Sequence, residues 1–264
     1  MIKIDDLIKT LKKNKINFFT GVPDSILKNL SIFLQNKKTK EHVLAVNEGS
    51  AVSIGIGYYL SSKKIPCIYL QNSGLSNAIN PIISLAHKNV YSIPIVLLIG
   101  WRGSPGIKDE PQHETKGKIT TKILKLLGIK YLLLKKKNDL KKFNELIKKS
   151  SKKNIIVAGL IEKNTLVGKK TIKVKNNSYD LDKEIFYFNF LKKLKEKDHI
   201  ISSTGYNSRE LFFYRQKYKI HKGKDFYLVG GMGYTASLSL GFSINNKRNN
   251  IICLDGDGSF LMHM

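Results

Sequence analysis

The 264-residue chain carries 46 lysines and arginines against 20 acidic residues, a formal charge of +26, with 42% apolar and 25% charged residues. That composition is globular, and six prolines with 20 glycines exclude a collagen-like or proline-rich linker protein. The length suits one large domain or two ordinary ones, and no apolar run reaches the roughly 18–20 residues of a membrane-spanning helix.

The charge does not point to nucleic acid. Only four of the basic residues are arginine, the rigid fork expected where phosphates are gripped: Arg102, Arg209, Arg215 and Arg248. The lysines are spread over helix faces and turns as part of a Lys/Asn/Ile bias of the whole chain. A positive mean field would still draw anionic substrates toward an open cleft. Cys67 and Cys253 each lie in an apolar run, which predicts buried thiols in a reducing compartment.

In chain order, the N-terminus alternates apolar residues with Asp and Lys at helical spacing. This predicts a folded helix over 5–13 rather than a secretory signal, and hence a cytoplasmic protein. A short strand (17–20) runs into the turn Gly21-Val22-Pro23, after which Asp24 or Ser25 caps a helix bearing Leu27, Leu30 and Leu34. An extended run, 42–46, ends at Glu48, and a Gly/Ala/Ser-rich helix (49–60) follows. Strand 65–70, helix 75–87 and the apolar strand 93–99 come next. Apolar strands without alternation are buried on both faces, the mark of a parallel α/β sheet. Helical and strand signals continue at 119–127, 130–134, 140–149 and 155–159.

Past Glu162 the pattern lapses into polar, lysine-rich sequence. The predicted organisation is a domain over 1–165, a linker over 166–180 with a short edge strand at 171–174, and a second domain over 181–264. That second block reads as helix 181–195, strand 199–203, helix 208–216, strand 226–229, helix 235–244 and strand 250–254. It closes on Asp255-Gly256-Asp257-Gly258-Ser259. So few strands predict an open sheet with an exposed edge and an uncovered helix face, in a truncated chain or one completed by another.

The strand-end loops carry the chemistry. Glu48 follows an apolar strand and opens a helix almost free of other charge. Burial disfavours its anion, the helix dipole favours it, and the residue reads either as a capping acid or as an acid for a ring nitrogen. Asp257 sits between glycines that let backbone approach a phosphate, where a carboxylate can hold a hard divalent ion. Gly230-Gly231-Met232-Gly233 follows the preceding strand of the same sheet, at the edge where open α/β sheets bind ligands. Met232 is either a core plug or an apolar wedge under a bound ring. The stretch Trp-Arg-Gly-Ser-Pro-Gly-Ile-Lys-Asp-Glu-Pro-Gln-His (101–113) is too specific for a plain surface loop. Within it Arg102 and Lys108 can hold a dianion, and His113 is the best-placed histidine for proton transfer. Asp24 is a cap or an acid held at a strand end, and Asn72 and Ser73 supply neutral donors at another. The remaining histidines lack metal-ligand spacing.

These motifs resemble the thiamine-diphosphate-dependent 2-oxoacid decarboxylases over essentially all 264 residues. The first half resembles their pyrimidine-binding domain, through Gly21-Val22-Pro23-Asp24-Ser25, Asn47-Glu48-Gly49 and Tyr69-Leu70-Gln71-Asn72-Ser73-Gly74. The second resembles the start of their diphosphate-binding domain, through Thr204-Gly205, the 230–233 glycines and Gly256-Asp257-Gly258-Ser259. Within the family, the block 92–113 resembles the branch that decarboxylates phosphonopyruvate, with the sulfopyruvate branch close in architecture.

The resemblance implies two α/β domains with parallel sheets flanked by helices, the second truncated. It implies thiamine diphosphate and Mg²⁺ as cofactors and an anionic 2-oxoacid as substrate. The active site would lie between the subunits of a homodimer or larger assembly, with Glu48 of one subunit facing Asp257 of its neighbour. Glu48 would hydrogen-bond N1′ of the aminopyrimidine, and the Gly230 carbonyl would accept from its 4′-amino group. Met232 would enforce the bent cofactor, with Gly231, Gly256, Gly258 and Ser259 around it and Asp257 on the metal. Asp24 and His113 would move protons, with Arg102, Lys108, Asn72 and Ser73 on the substrate. The family motif continues to an asparagine pair, one of them a metal ligand, past residue 264.

Overall fold

The computed structural model describes residues 1–168, 181–246 and 248–263. The chain divides into two compact units, Met1–Lys173 and Val174–Met264.

In the first unit the order is β1 (Ile2–Lys3), α1 (Ile4–Lys13), β2 (Phe19–Gly21), α2 (Lys28–Leu34), β3 (His42–Leu44), α3 (Glu48–Ser62) and β4 (Cys67–Gln71). A 3₁₀ turn (Asn72–Gly74), α4 (Leu75–Pro81) and a π turn (Ile82–Ala86) lead to β5 (Ile95–Gly100). Then come α5 (Pro111–Leu126), β6 (Lys130–Leu134), α6 (Asp139–Lys153), β7 (Ile156–Ile161) and β8 (Leu166–Val167). Six strands form one parallel sheet in the order β3-β2-β4-β5-β7-β6, and β1 pairs with β8.

The central strands are apolar throughout because alternate residues enter two cores. Cys67, Tyr69, Val96 and Leu98 pack with Leu7 and Leu11 of α1, Leu30 and Leu34 of α2, and Phe143 and Ile147 of α6. Ile68, Leu70, Leu97 and Ile99 face the other way, onto Ala51, Val52 and Ile56 of α3, Ala78 of α4 and Leu124 of α5. Each buried Val, Leu, Ile or Phe among them contributes about 1.5–3 kcal/mol. Between β2 and β4 the connections leave in opposite directions, which opens a crevice at their carboxyl ends.

The second unit runs α7 (Lys183–Lys193), β9 (His199–Ser202), α8 (Tyr206–Tyr218), β10 (Lys224–Tyr227), α9 (Thr235–Ile244), β11 (Ile251–Leu254) and α10 (Asp257–Met262). Its parallel sheet has the order β10-β9-β11, so the switch point falls between β9 and β11. A small core joins Tyr187 and Leu191 of α7, Ile200 of β9 and Leu211 of α8. Leu240, Ile244, Phe226 and Val229 remain exposed.

Several expectations shift. Cys67 is buried but Cys253 is exposed, on β11 at the edge of the three-stranded sheet. The residues Pro111-Gln112-His113, expected in a loop, are the first turn of α5; proline at the first helical position is already set to helical φ. Helix 75–87 is split, since Pro81 removes a donor and the next turn widens to π. Residues 166 and 167, assigned to the linker, form β8 against Ile2–Lys3, and the edge strand expected at 171–174 lies outside the described residues. No described helix is long and apolar enough to cross a membrane.

In the second unit a buried arginine fastens α8 to β10. Arg215 Nε and Nη2 donate to Asp225 Oδ2 and Oδ1 at 2.8 and 2.6 Å, and Nη1 donates to the Lys222 carbonyl at 2.6 Å. Arg215→Met leaves the nearly buried Asp225 carboxylate without its cation, with the Tyr227 hydroxyl still donating to Oδ2, a loss on the order of 3 kcal/mol. The expected outcome is faster amide hydrogen exchange across α8 and β10, with the first unit unchanged.

Candidate active site

In the first unit the expected residues gather at the carboxyl edge of the six-stranded sheet, on the loops that follow β2, β3, β4 and β5. Asn47, in extended conformation, caps α3 by accepting from the Ser50 N–H at 2.8 Å, which puts Glu48 in the first helical turn. Glu48 is 4% exposed. Asn77 Nδ2, on α4, donates to its Oε2 at 2.9 Å. A Cβ built on Gly74 would stand 1.8 Å from Glu48 Oε1, so the carboxylate lies where a side chain at 74 would go. Asn77 was not singled out in the sequence. Its signal is the spacing from Gly74, which puts both on one helical face.

Asp24 is built in the same way. A Cβ on Gly100 would come within 1.9 Å of its Oδ2. That oxygen accepts from the Ile26 and Leu27 N–H groups at 3.1 and 3.2 Å, so Asp24 does cap the turn into α2. Its Oδ1 accepts from Gln71 Nε2 at 2.6 Å, across the crevice between β2 and β4. Gln71 Oε1 accepts from Ser73 Oγ at 2.7 Å, and Ser73 Oγ lies 3.5 Å from His113 Nδ1. Asp24, Ser73 and His113 thus belong to one chain of contacts, with Gln71 as its bridge.

The loop after β5 is locked from within. Arg102 grips Asp109 with two nitrogens, Nε at 2.7 Å from Oδ2 and Nη2 on Oδ1, and the Gly103 N–H adds a bond at 2.8 Å. These bonds hold the Asp109 carboxyl well below the usual range, and the pairing raises Arg102 in turn. Asp109, unmarked in the sequence reading, is therefore the partner of the arginine expected to meet a dianion. Lys108 is exposed, with no ion pair among the described residues. Asn72 is buried and its amide is engaged internally. It donates to the Arg102 carbonyl and to Thr120 Oγ1, each at 2.9 Å, and accepts from the Arg102 N–H at 3.0 Å. It ties the loops after β4 and β5 together. His113 is nearly buried; burial first, then the nearby Arg102 cation, push its pKa below the ordinary 6.5, against the pull of Asp109 and Glu110.

In the second unit the loops after β9, β10 and β11 meet at the carboxyl edge of the three-stranded sheet. Ser203 Oγ accepts from the Gly256 N–H at 3.2 Å, beside the switch point. Buried Ser259 accepts from the Gly233 N–H at 3.0 Å, joining the Gly-Gly-Met-Gly loop to α10. Gly231 and Gly233 hold φ of 72° and 95°, the left-handed region where a side chain is strained. Gly230 stands next to them in the chain. Met232 is exposed, and its Cε lies 3.4 Å from a Cβ built on Gly258. Asp257 is exposed at the start of α10 and, among the described residues, accepts only from the Gly258 N–H, at 2.7 Å. Asp255 Oδ2 is buried with no hydrogen-bond partner among the described residues. No group of three metal-ligating side chains occurs among the described residues. One or two carboxylates supplemented by phosphate oxygens is the set that Mg²⁺ uses.

Comparison with known proteins matches this arrangement. Residues 4–129 fit the N-terminal TPP binding domain of thiamine pyrophosphate enzymes, and residues 204–264 fit the C-terminal TPP binding domain. A phosphonopyruvate decarboxylase of Streptomyces viridochromogenes is 28% identical over 100% of this chain and 68% of its own length. The alpha subunit of sulfopyruvate decarboxylase from Methanococcus maripaludis is 34% identical over 47% of this chain and 71% of its own. The beta subunit from Methanocaldococcus jannaschii is 36% identical over 26% of this chain and 34% of its own. Both sheet edges thus carry the domains of one enzyme family, in that family's order, and the chain belongs to the thiamine pyrophosphate enzymes.

Proposed function

We propose that this chain decarboxylates phosphonopyruvate to phosphonoacetaldehyde and carbon dioxide, with thiamine diphosphate and Mg²⁺. The observation that carries the reading is Glu48, a buried carboxylate seated against Gly74 at the mouth of a pyrimidine-type domain. A relative that spans the whole chain and bears the phosphonopyruvate name supports the substrate.

Glu48 holds a proton or a hydrogen bond at N1′ of the aminopyrimidine, and Asn77 fixes the carboxylate's other face. Asp257 binds the metal at the diphosphate, the 230–233 and 256–258 glycines leave room for backbone to approach it, and Met232 supports the ring. Bound there, the cofactor supplies the electron sink that decarboxylation of a 2-oxoacid requires. Asp24 and His113 move protons on the substrate side. Lys108 attracts the phosphonate, and Arg102, with Nε and Nη2 held by Asp109, offers Nη1, which lies 3.4 Å from Ser25 Oγ. We infer a homodimer or higher assembly, a reading supported by relatives that are themselves named as alpha and beta subunits of one decarboxylase.

A second reading, sulfopyruvate as substrate, is favoured by the sulfopyruvate decarboxylase subunits that match parts of the chain. Rates on phosphonopyruvate, sulfopyruvate and pyruvate separate the readings. The expected outcome is kcat/KM highest on phosphonopyruvate and dependent on thiamine diphosphate, with Lys108→Ala raising KM for it and not for pyruvate. A preference for sulfopyruvate overturns the substrate, and no turnover of any acid overturns the reaction.

Gly74→Ala should displace the Glu48 carboxylate. Calorimetry with Mg²⁺ should then show thiamine diphosphate affinity reduced on the order of ten- to a hundredfold. The lowered His113 pKa also sets a pH direction. The folded protein favours the neutral ring, so this stabilisation is complete above about pH 6.5 and is lost as pH falls through the lower folded value. Thermal melts of His113→Gln should lack that part of the acid destabilisation, and the acid limb of kcat/KM should lie below pH 6.5 in the parent.

A further inference from the structure

Gln71 and Ser73, the second expected on the substrate, stand between Asp24 and His113, and their hydrogen bonds run in a single direction. Asp24 Oδ2 is occupied by the Ile26 and Leu27 N–H groups, which leaves Oδ1 facing the Gln71 amide at 2.6 Å. An ionised carboxylate only accepts, so it selects the amide orientation with the NH₂ toward it and the carbonyl away. That carbonyl can only accept, and the Ser73 hydroxyl gives it its one proton at 2.7 Å. With its proton committed, Ser73 Oγ meets His113 Nδ1, 3.5 Å away, as an acceptor. A neutral His113 satisfies this contact only with its proton on Nδ1, which leaves the Nε2 lone pair bare.

The surroundings of Nε2 do not reverse the choice. The nearest carboxylate oxygen, Glu110 Oε2, is 3.9 Å away, beyond hydrogen-bond length, and accepts from Gln112 Nε2 at 2.6 Å. We propose that Gln71 and Ser73 are positioning residues through which the Asp24 charge sets the tautomer of His113, presenting Nε2 as a proton acceptor. This rests on the reading of His113 as a proton-transfer group only for its catalytic consequence; the tautomer is a property of the free protein.

The test is ¹⁵N–¹H correlation spectroscopy of the imidazoles, with the His113 signals assigned by their loss in His113→Gln. In the parent at pH above the histidine range, Nδ1 is expected as the protonated nitrogen and Nε2 as the bare one. Asp24→Asn frees the amide to turn over and Ser73→Ala removes the acceptor, and each is expected to move His113 toward the Nε2-protonated form. Ser73→Thr keeps the hydroxyl and should keep the parent pattern. In an enzyme that decarboxylates, Ser73→Ala should lower kcat on the order of ten- to a hundredfold with KM little changed, by analogy with other partners that orient a functional histidine. Protonation on Nε2 in the parent, or a pattern unmoved in both Asp24→Asn and Ser73→Ala, overturns the relay. Should one variant fail to fold, the other decides. A tautomer that responds in a protein inactive on every acid upholds the relay and removes only the decarboxylase reading.

Discussion

A carboxylate pressed against a bare α-carbon organises the first unit. Glu48 can lie buried at the start of α3 because Gly74 leaves it the volume of a side chain and Asn77 answers one oxygen. The same device recurs where Asp24 fills the space above Gly100. Two acids are thus carried at the carboxyl edge of one sheet, each packed against a glycine that ends a strand or closes the turn after it. A larger residue at either glycine would push the acid out toward water, where it would be an ordinary surface carboxylate. The apolar strands behind them, buried on both faces, give this edge the rigidity a site of this kind requires.

The loop after β5 shows how such an edge is kept in register. Asn72 binds both the N–H and the carbonyl of Arg102, and Arg102 binds Asp109 seven residues further along the same loop. The first turn of α5 then delivers His113 to Ser73. Positive charge in this loop is therefore largely neutralised from inside, and Lys108 is left as the cation facing solvent. In the second unit the corresponding order is set by backbone: Ser259 and Ser203 accept N–H groups of the glycine loops and hold them at the switch point.

Much of this was legible in the sequence, for physical reasons. The run 93–99 could only be a strand buried twice over, and Glu48, Asp24 and the 256–258 glycines stood at strand ends where a parallel sheet binds ligands. Other features were not legible. Two-residue strands such as β1 and β8 have no periodicity to read, and their pairing joins positions at opposite ends of the unit. The helical start at Pro111 was masked by the polar residues around it. Cys253 sits in an apolar run yet is exposed, since burial of a strand depends on neighbours that its own sequence does not name. Asn77, Asp109 and the Gln71 bridge act through side-chain contacts that spacing alone does not fix.

In the proposed reaction Glu48 acts on the pyrimidine of thiamine diphosphate, and this role has a direct readout. It is tested most directly by the rate at which the C2 proton of the bound cofactor exchanges with deuterated solvent, in the parent and in Glu48→Gln. The account predicts exchange slowed by about 10²–10⁴ in the variant with cofactor still bound, the range general acid–base groups contribute. Equal exchange rates in the two proteins, both saturated with cofactor, would contradict it.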